Sequence, residues 1–302
     1  MKYLVVGYGN IGLKRKQLLG GRCIATVDPY NTAADYRTLS ECPLAQYDAA
    51  VLAVPNQVKI ELLDFLLNRG KHALVEKPLI FPDEATAHHL QQTAQRRRVI
   101  WYTSYNFRFE PHVIRLRDLI AAGSIGDVYR ARMFYGYGTA GSVAGTWRDD
   151  RLGVLQDLAS HLVDLTGFVF GRAGSDFLIW ERGAHELTGA DHCILATTDR
   201  RIVIECSYLS WKNRWTIEVI GARGALQMEG LTKWGASELV IQRRRFPSGV
   251  PDETREVVTA PDPTWAADLA HFEQMVIANK TSFENDLWMS RTLLHLATSS
   301  LS

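Results

Sequence analysis

Cysteine is scarce in this chain: four in 302 residues, at Cys23, Cys42, Cys193 and Cys206. No two of them form a close Cys-x-x-Cys pair, which argues against a zinc or dithiol redox motif. Cys23, Cys193 and Cys206 lie in apolar runs and read as small core residues. Long apolar runs are missing as well. None approaches the about 20 residues that span a bilayer, so no membrane partner is expected. Charge of one sign is also missing. The formal net charge is +1, so no strong field favours nucleic acid or an anionic surface. The basic runs Arg96-Arg97-Arg98 and Arg243-Arg244-Arg245 are short and read as solvated element ends. No metal site is expected. The chain opens directly into a strand rather than a signal peptide, and the cytoplasm is the expected location.

What is present is an ordinary soluble composition, 46% hydrophobic and 22% charged, at a length that suits two domains. From Lys2 to about Tyr102, short apolar runs alternate with helical patterns. Strands are expected at Tyr3–Val6, Cys23–Val27, Ala49–Ala53, Ala73–Val75 and Val99–Tyr102. Helices are expected at Ile11–Leu19, Val58–Arg69 and Asp83–Arg97, with Ile60, Leu63, Leu66 and Leu67 at helical spacing. This alternation predicts an α/β fold with a doubly wound parallel sheet over residues 1–104. The stretch Tyr30–Tyr47 promises little more than one helical turn.

Beyond about Ser104 the rhythm changes, and residues 105–302 read as a second domain. Helices are expected at Pro111–Ala122, Leu155–Phe170, Pro263–Ala278 and Leu287–Ser300. Strands are expected at Asp127–Tyr135, Asp176–Arg182, His192–Thr197, Ile202–Tyr208, Arg214–Ile220, Gly224–Glu229 and Glu238–Gln242. Tight turns such as Asp199-Arg200 imply a mainly antiparallel sheet. Gly136–Gly145 reads as a loop.

Three motifs carry chemistry. Gly7-Tyr-Gly9-Asn-Ile-Gly12 follows the first strand and opens the first helix. In that context Gly7 permits the tight turn, Gly9 admits a pyrophosphate, and Gly12 lets helix and strand pack closely. The amides around Asn10 and Ile11 would face the phosphates. Asp28 ends the second strand at the spacing of a ribose-binding acid, and no arginine follows in Pro29-Tyr30-Asn31, so NAD is expected rather than NADP. Pro55 and Asn56 end the third strand beside the same crevice. The second motif is His72-Ala-Leu-Val-Glu-Lys-Pro-Leu79. A buried strand runs straight into Glu76 and Lys77, where ligands of such folds sit; alone, Lys77 could simply snorkel beside Pro78. The third is Asp157-x-x-x-His161, with Asp164 three residues on. Asp157 and His161 share a helix face, so the pair can move a proton on and off an alcohol, or can be a plain helix-stabilising pair.

The glycine loop, Glu76-Lys77-Pro78, Tyr105-Asn-Phe-Arg-Phe109 and the helix of Asp157 and His161 together resemble the glucose–fructose oxidoreductase / inositol dehydrogenase / rhizopine-catabolism family, Gfo/Idh/MocA, over nearly the whole length. The resemblance implies a Rossmann domain followed by an α+β domain with a large open, mainly antiparallel sheet. That sheet would form a homodimer or homotetramer interface, for which Tyr208, Trp211 and Trp215 are candidates, if they are not core aromatics. It implies reversible oxidation of a sugar or polyol hydroxyl with a nicotinamide cofactor. Lys77 and His161 would be the catalytic pair, assisted by Asp157, and Glu76 would lie at the cofactor. Asn106, Arg108, Trp147 and Arg148 are candidates for the substrate side or for purely structural roles. The sequence departs from the family at Arg151-Leu152-Gly153, where a glycine run is common, and at Ala159-Ser160. A regulatory NAD-binding protein without turnover and an NAD-dependent glycoside hydrolase are the alternative readings.

Overall fold

The computed structural model describes residues 1–138, 140–150, 152–172 and 176–299. They divide into two compact units, described in turn. The first is built on five parallel strands: β1 (Tyr3–Val6), β2 (Cys23–Val27), β3 (Ala49–Leu52), β4 (His72–Glu76) and β5 (Trp101–Ser104), in the order β2-β1-β3-β4-β5. Helices α1 (Asn10–Leu19), α2 (Asn56–Asn68) and α3 (Glu84–Arg97) connect them. Between β2 and β3 the chain makes two 3₁₀ turns, Leu39–Glu41 and Leu44–Gln46, rather than one. The strand order reverses at β1 and β3, which sets the crevice between the turns that follow them.

Both faces of this sheet are buried, which is why its strands read as continuous apolar runs. Leu4, Val6, Ala50, Leu52, Ala73 and Val75 face Leu63, Leu66 and Leu67 of α2 and Ala87 and Leu90 of α3. Tyr3, Val5, Ala49, Val51, Leu74, Ile100 and Tyr102 form the opposite core with Leu19 of α1.

The second unit contains α4 (Pro111–Ala121), β6 (Val128–Gly136), the short α5 (Ala140–Val143), a π-helical turn (Leu155–Ala159) and α6 (Ser160–Phe170). It continues with β7 (Phe177–Gly183), β8 (His192–Thr197), β9 (Ile202–Ser207), β10 (Arg214–Gly221), β11 (Gly224–Glu229), β12 (Ser237–Arg243) and β13 (Asp252–Val258). The sheet order is β13-β12-β11-β10-β6-β9-β8-β7. All its pairs are antiparallel except β6 with β9. Alternation is strict in β10, where Trp215, Ile217 and Val219 are buried and Thr216 and Glu218 are half-exposed. β13 was not expected. Its sequence, Asp-Glu-Thr-Arg-Glu-Val-Val, has no buried face, as befits a charged edge strand. The expected loop 136–145 instead holds the end of β6 and the short α5; its Thr139 lies outside the described residues.

Two helices close the chain, α7 (Thr264–Ala278) and α8 (Phe283–Thr298). The expected end of the last helix, Ser300, lies outside the described residues. Here the contiguous second domain 105–302 needs correction: residues 265–291 cluster with the first unit. The reason is coverage. Leu269 and Phe272 of α7 complete the core over Tyr3 and Tyr102, and Phe283 and Leu287 of α8 complete the opposite one. A polar tie reinforces the packing. Asp268 is fully buried and accepts from Tyr102 Oη at 2.9 Å, Ser104 Oγ at 2.7 Å and Arg15 Nη2 at 3.0 Å. Arg15, 1% exposed, also lies over the Trp265 ring at 4.5 Å.

Removing one partner of a buried ion pair strands the other charge. Asp268→Ala is expected to cost about 3 kcal/mol, read as a lower urea midpoint at unchanged slope. A loss below about 1 kcal/mol would mean that water replaces the carboxylate and the tie is dispensable.

Candidate active site

In the first unit the expected cofactor residues gather at the switch point. Gly7 has φ +90°, and a Cβ there would lie 2.3 Å from the carbonyl oxygen of Ala53. The turns after β1 and β3 therefore touch through backbone alone, just before Pro55 and Asn56. A Cβ on Gly12 would lie 1.9 Å from the Gly7 carbonyl oxygen, so the helix start needs glycine to pack on the turn. A Cβ on Gly9 would meet nothing within 4 Å, and no side chain caps α1. Open space thus stands beside Gly9 at the uncapped start of α1, the setting in which a helix N-terminus takes a phosphate. These residues fit a dinucleotide.

Asp28 stands beside this turn. Its Oδ2 accepts from Tyr8 N at 2.7 Å, and its Oδ1 accepts from Tyr30 N and Asn31 N, both at 2.8 Å. Burial pushes the carboxyl up, but these amides and Arg37 outweigh it and hold it below its usual range. Arg37 was missed by the local reading. It lies beyond the Pro29-Tyr30-Asn31 stretch, yet its Nη1 donates to the Asn31 carbonyl at 3.0 Å. Only the fold of the intervening loop brings it back.

Glu76 and Lys77 end β4. Glu76 Oε1 accepts from Arg15 Nε at 2.7 Å and lies 2.6 Å from Arg15 Nη2, so its carboxylate is held by a buried cation. Lys77 is half-buried. Asn56 Oδ1 accepts from Lys59 Nζ at 2.8 Å.

In the second unit, the expected single helix 155–170 begins as a π turn. Ser160 Oγ bonds back to this turn, donating to the carbonyls of Gln156, at 2.8 Å, and Asp157, at 3.2 Å. Asp157 Oδ2 accepts from Tyr208 Oη at 3.1 Å and lies 3.0 Å from Arg148 Nε. Burial and the Asp157 charge push the Tyr208 hydroxyl far up, so it remains a donor. His161, 8% exposed, stacks on Phe107 with centroids 4.2 Å apart and planes 21° apart. Trp215 stands edge-on to Phe107, and Tyr135 is tilted against it at 60°. Lys233 Nζ lies 4.4 Å from the Phe107 centroid and 3.3 Å from Tyr135 Oη.

The other expected substrate residues divide. Arg148 joins Asp157, and its guanidinium lies 5.0 Å from the Trp147 ring, which is exposed. Arg108 is instead bound by Asp164, its Nε donating at 2.7 Å to Oδ2 and its Nη2 to Oδ1. That bidentate fork gives both residues a structural tie, so Arg108 is not held ready for an anionic substrate group. Asn106 Nδ2 donates to Thr264 Oγ1 at 2.8 Å. Tyr208 and Trp215, candidates for an open sheet face, are 1% exposed and line this site; Trp211 is 74% exposed. Gln156 was missed. It is 2% exposed, and its Nε2 donates to the Trp147 carbonyl at 2.9 Å and to Asp150 Oδ1 at 2.6 Å. Of the stretch 151–153, Arg151 lies outside the described residues, whereas Gly153 has φ +44° and abuts the Ala190 backbone.

A parallel sheet of this order, with a glycine turn, an uncapped helix and an acid at β2, defines a Rossmann-type dinucleotide-binding protein with an appended α/β unit. Residues 1–105 match the oxidoreductase family with the NAD-binding Rossmann fold, and residues 113–227 match the GFO/IDH/MocA C-terminal domain. The chain belongs to the Gfo/Idh/MocA oxidoreductase family. It is 30% identical to glucose-6-phosphate 3-dehydrogenase of Bacillus subtilis, over 43% of this chain and 38% of that one. It is 24% identical to inositol 2-dehydrogenase of Rhizobium meliloti, over 57% of this chain and 55% of that one. The matches to curated relatives span from 34% to 54% of the relatives' length in three such cases. In fold it is similar to UDP-N-acetylglucosamine 3-dehydrogenase of Acidithiobacillus ferrooxidans, with TM-score 0.75, 19% identity, and 98% of this chain and 95% of that one covered.

Gln156 ties segment 147–150 to the π turn. Gln156→Leu removes two donors, and amide exchange over residues 145–150 is expected to rise about tenfold, the equivalent of one net hydrogen bond. Unchanged exchange there would show that the clamp is not what holds the segment.

Proposed function

We propose that the chain transfers a hydride between a sugar or polyol hydroxyl and NAD, with phosphorylated and nucleotide-linked sugars in its range. The observation that carries this reading is the setting of His161. Its ring lies flat on Phe107, and Asp157, in the preceding turn, is engaged by Tyr208 and Arg148. The names of relatives acting on glucose 6-phosphate and inositol point to the same substrate class.

The nicotinamide, when bound, supplies the hydride acceptor. The rest falls to side chains. His161 takes the hydroxyl proton as the carbinol hydride leaves, and returns it in the reverse direction. The aromatic wall of Phe107, Tyr135 and Trp215 keeps water from that exchange. Asp157, oriented by Tyr208, holds a neighbouring hydroxyl. Lys77 donates to the developing alkoxide and stabilises charge where it appears. Arg148, beside the exposed Trp147, reaches an anionic substituent.

For the cofactor, the charged Asp28 accepts from a ribose hydroxyl and repels a 2′-phosphate, which favours NAD. Arg37 is the one observation that favours NADP, since a guanidinium beside the same turn suits a phosphate.

Lys77→Met and His161→Asn are each expected to lower kcat at least about a hundredfold, with NADH affinity within about threefold. Full activity in both would refute the mechanism. Wild-type kcat/KM is expected to favour NAD over NADP, and a preference for NADP would transfer the role of Asp28 to Arg37. Release of free sugar from a glycoside without net NADH would move the reading to hydrolysis.

A further inference from the structure

Lys59 is the fourth residue of α2 and follows the exposed Val58, yet it is 2% exposed. Its ammonium meets three oxygens: Glu76 O at 2.5 Å, Pro78 O at 2.7 Å and Asn56 Oδ1 at 2.8 Å. An ammonium has three N–H groups, and each finds one acceptor here. Two of these acceptors are the main-chain carbonyls on either side of Lys77. They lie 17 and 19 residues further along the chain, so the cage is a tertiary feature of the unit.

We propose, on the reading that Lys77 is the alkoxide-stabilising group, that Lys59 is its positioning residue: its buried ammonium pins the two carbonyls that bracket Lys77 and so fixes where that side chain springs from.

The turn needs a donor from outside. β4 ends at Glu76, and Pro78 has no N–H to offer. The carboxylate of Glu76 is already taken by Arg15. The two buried cations thus hold residue 76 by its side chain and its carbonyl, and Lys59 also reaches across to residue 78. Burying an ammonium is costly. Desolvation pulls Lys59 down to about 7, while Glu76 and Asp286 work against that pull and Lys77 adds to it. A methionine would fill the same space without that cost. A methionine would also withdraw a charged donor from three oxygens, two of them framing Lys77. A donor that stabilises an alkoxide has to be in place before charge develops, so a loosened origin lowers turnover more than binding.

The test is Lys59→Met, followed by amide exchange, cofactor titration and kinetics on the full chain. Exchange over residues 76–80 is expected to rise at least about tenfold, with peptides from β1 and β3 unchanged. kcat is expected to fall at least about twentyfold, with KM for NAD within about threefold. Unchanged exchange over 76–80, or an equal rise in β1 and β3, would overturn the proposal whatever the activity does. A local rise with an intact kcat would overturn the positioning role while leaving the clamp. Full activity in Lys77→Met, by contrast, would sink the reading of Lys77 and not the measured clamp. Should Lys59→Met fail to fold, the same comparison is made on Lys59→Gln. If neither folds, Lys59 is a requirement of the fold and the proposal falls.

Discussion

The first unit depends on two buried cations meeting around Glu76. Arg15 comes from α1 and Lys59 from α2, and each is almost fully shielded from water. Desolvating two cations is among the most expensive things a fold can do. The cost is offset because several elements contribute oxygens: the side chain and carbonyl of Glu76 in β4, Ser104 of β5, Asp268 of α7, Asn56 of α2 and the Pro78 carbonyl beyond β4. Moving any one of these elements would strand a charge. The carboxyl end of the sheet is therefore cross-tied by these two cations. This also explains why α7 belongs with the first unit. It brings the second carboxylate for Arg15 along with the apolar cover for Tyr3 and Tyr102.

The second unit solves a different problem, that of presenting a histidine beside polar groups without exposing it. The π turn widens the helix start, the Ser160 hydroxyl bonds back to its carbonyls, and Gln156 draws segment 147–150 against the turn. Phe107, in the 3₁₀ turn Asn106–Phe109, and Tyr135 of β6 then wall His161, with Trp215 of β10 packed against both. Arg108 and Asp164, which look like site residues from their types, instead staple the segment after Tyr105 to α6.

Much of this architecture was legible before folding was considered. Parallel strands buried on both faces announce themselves as apolar runs, and all five were located within two residues at each end. The glycine turn was legible because its constraint is steric and local: a Cβ at Gly12 strikes the Gly7 carbonyl only five residues back. β13 was hidden because an exposed charged edge strand carries no apolar alternation. The π turn was hidden because its hydrophobic residues match an ordinary helix equally well. Nothing in the local sequence marks Lys59 on α2 or Arg37 in its loop, because their partners lie elsewhere in the fold.

What the sequence by itself determined, then, is the set of properties governed by near neighbours: strand and helix placement, the glycine turn, and the candidate chemistry of Lys77, Asp157 and His161. What only the tertiary structure decided is which charges meet. Arg15 with Glu76 and Asp268, Lys59 with the carbonyls beside Lys77, and Arg108 with Asp164 are all pairings across 17 or more residues. A charged side chain of given type has many possible partners along the chain. Burial selects among them, because out of water each charge has to be matched by the oxygen or nitrogen that the fold happens to bring within about 3 Å.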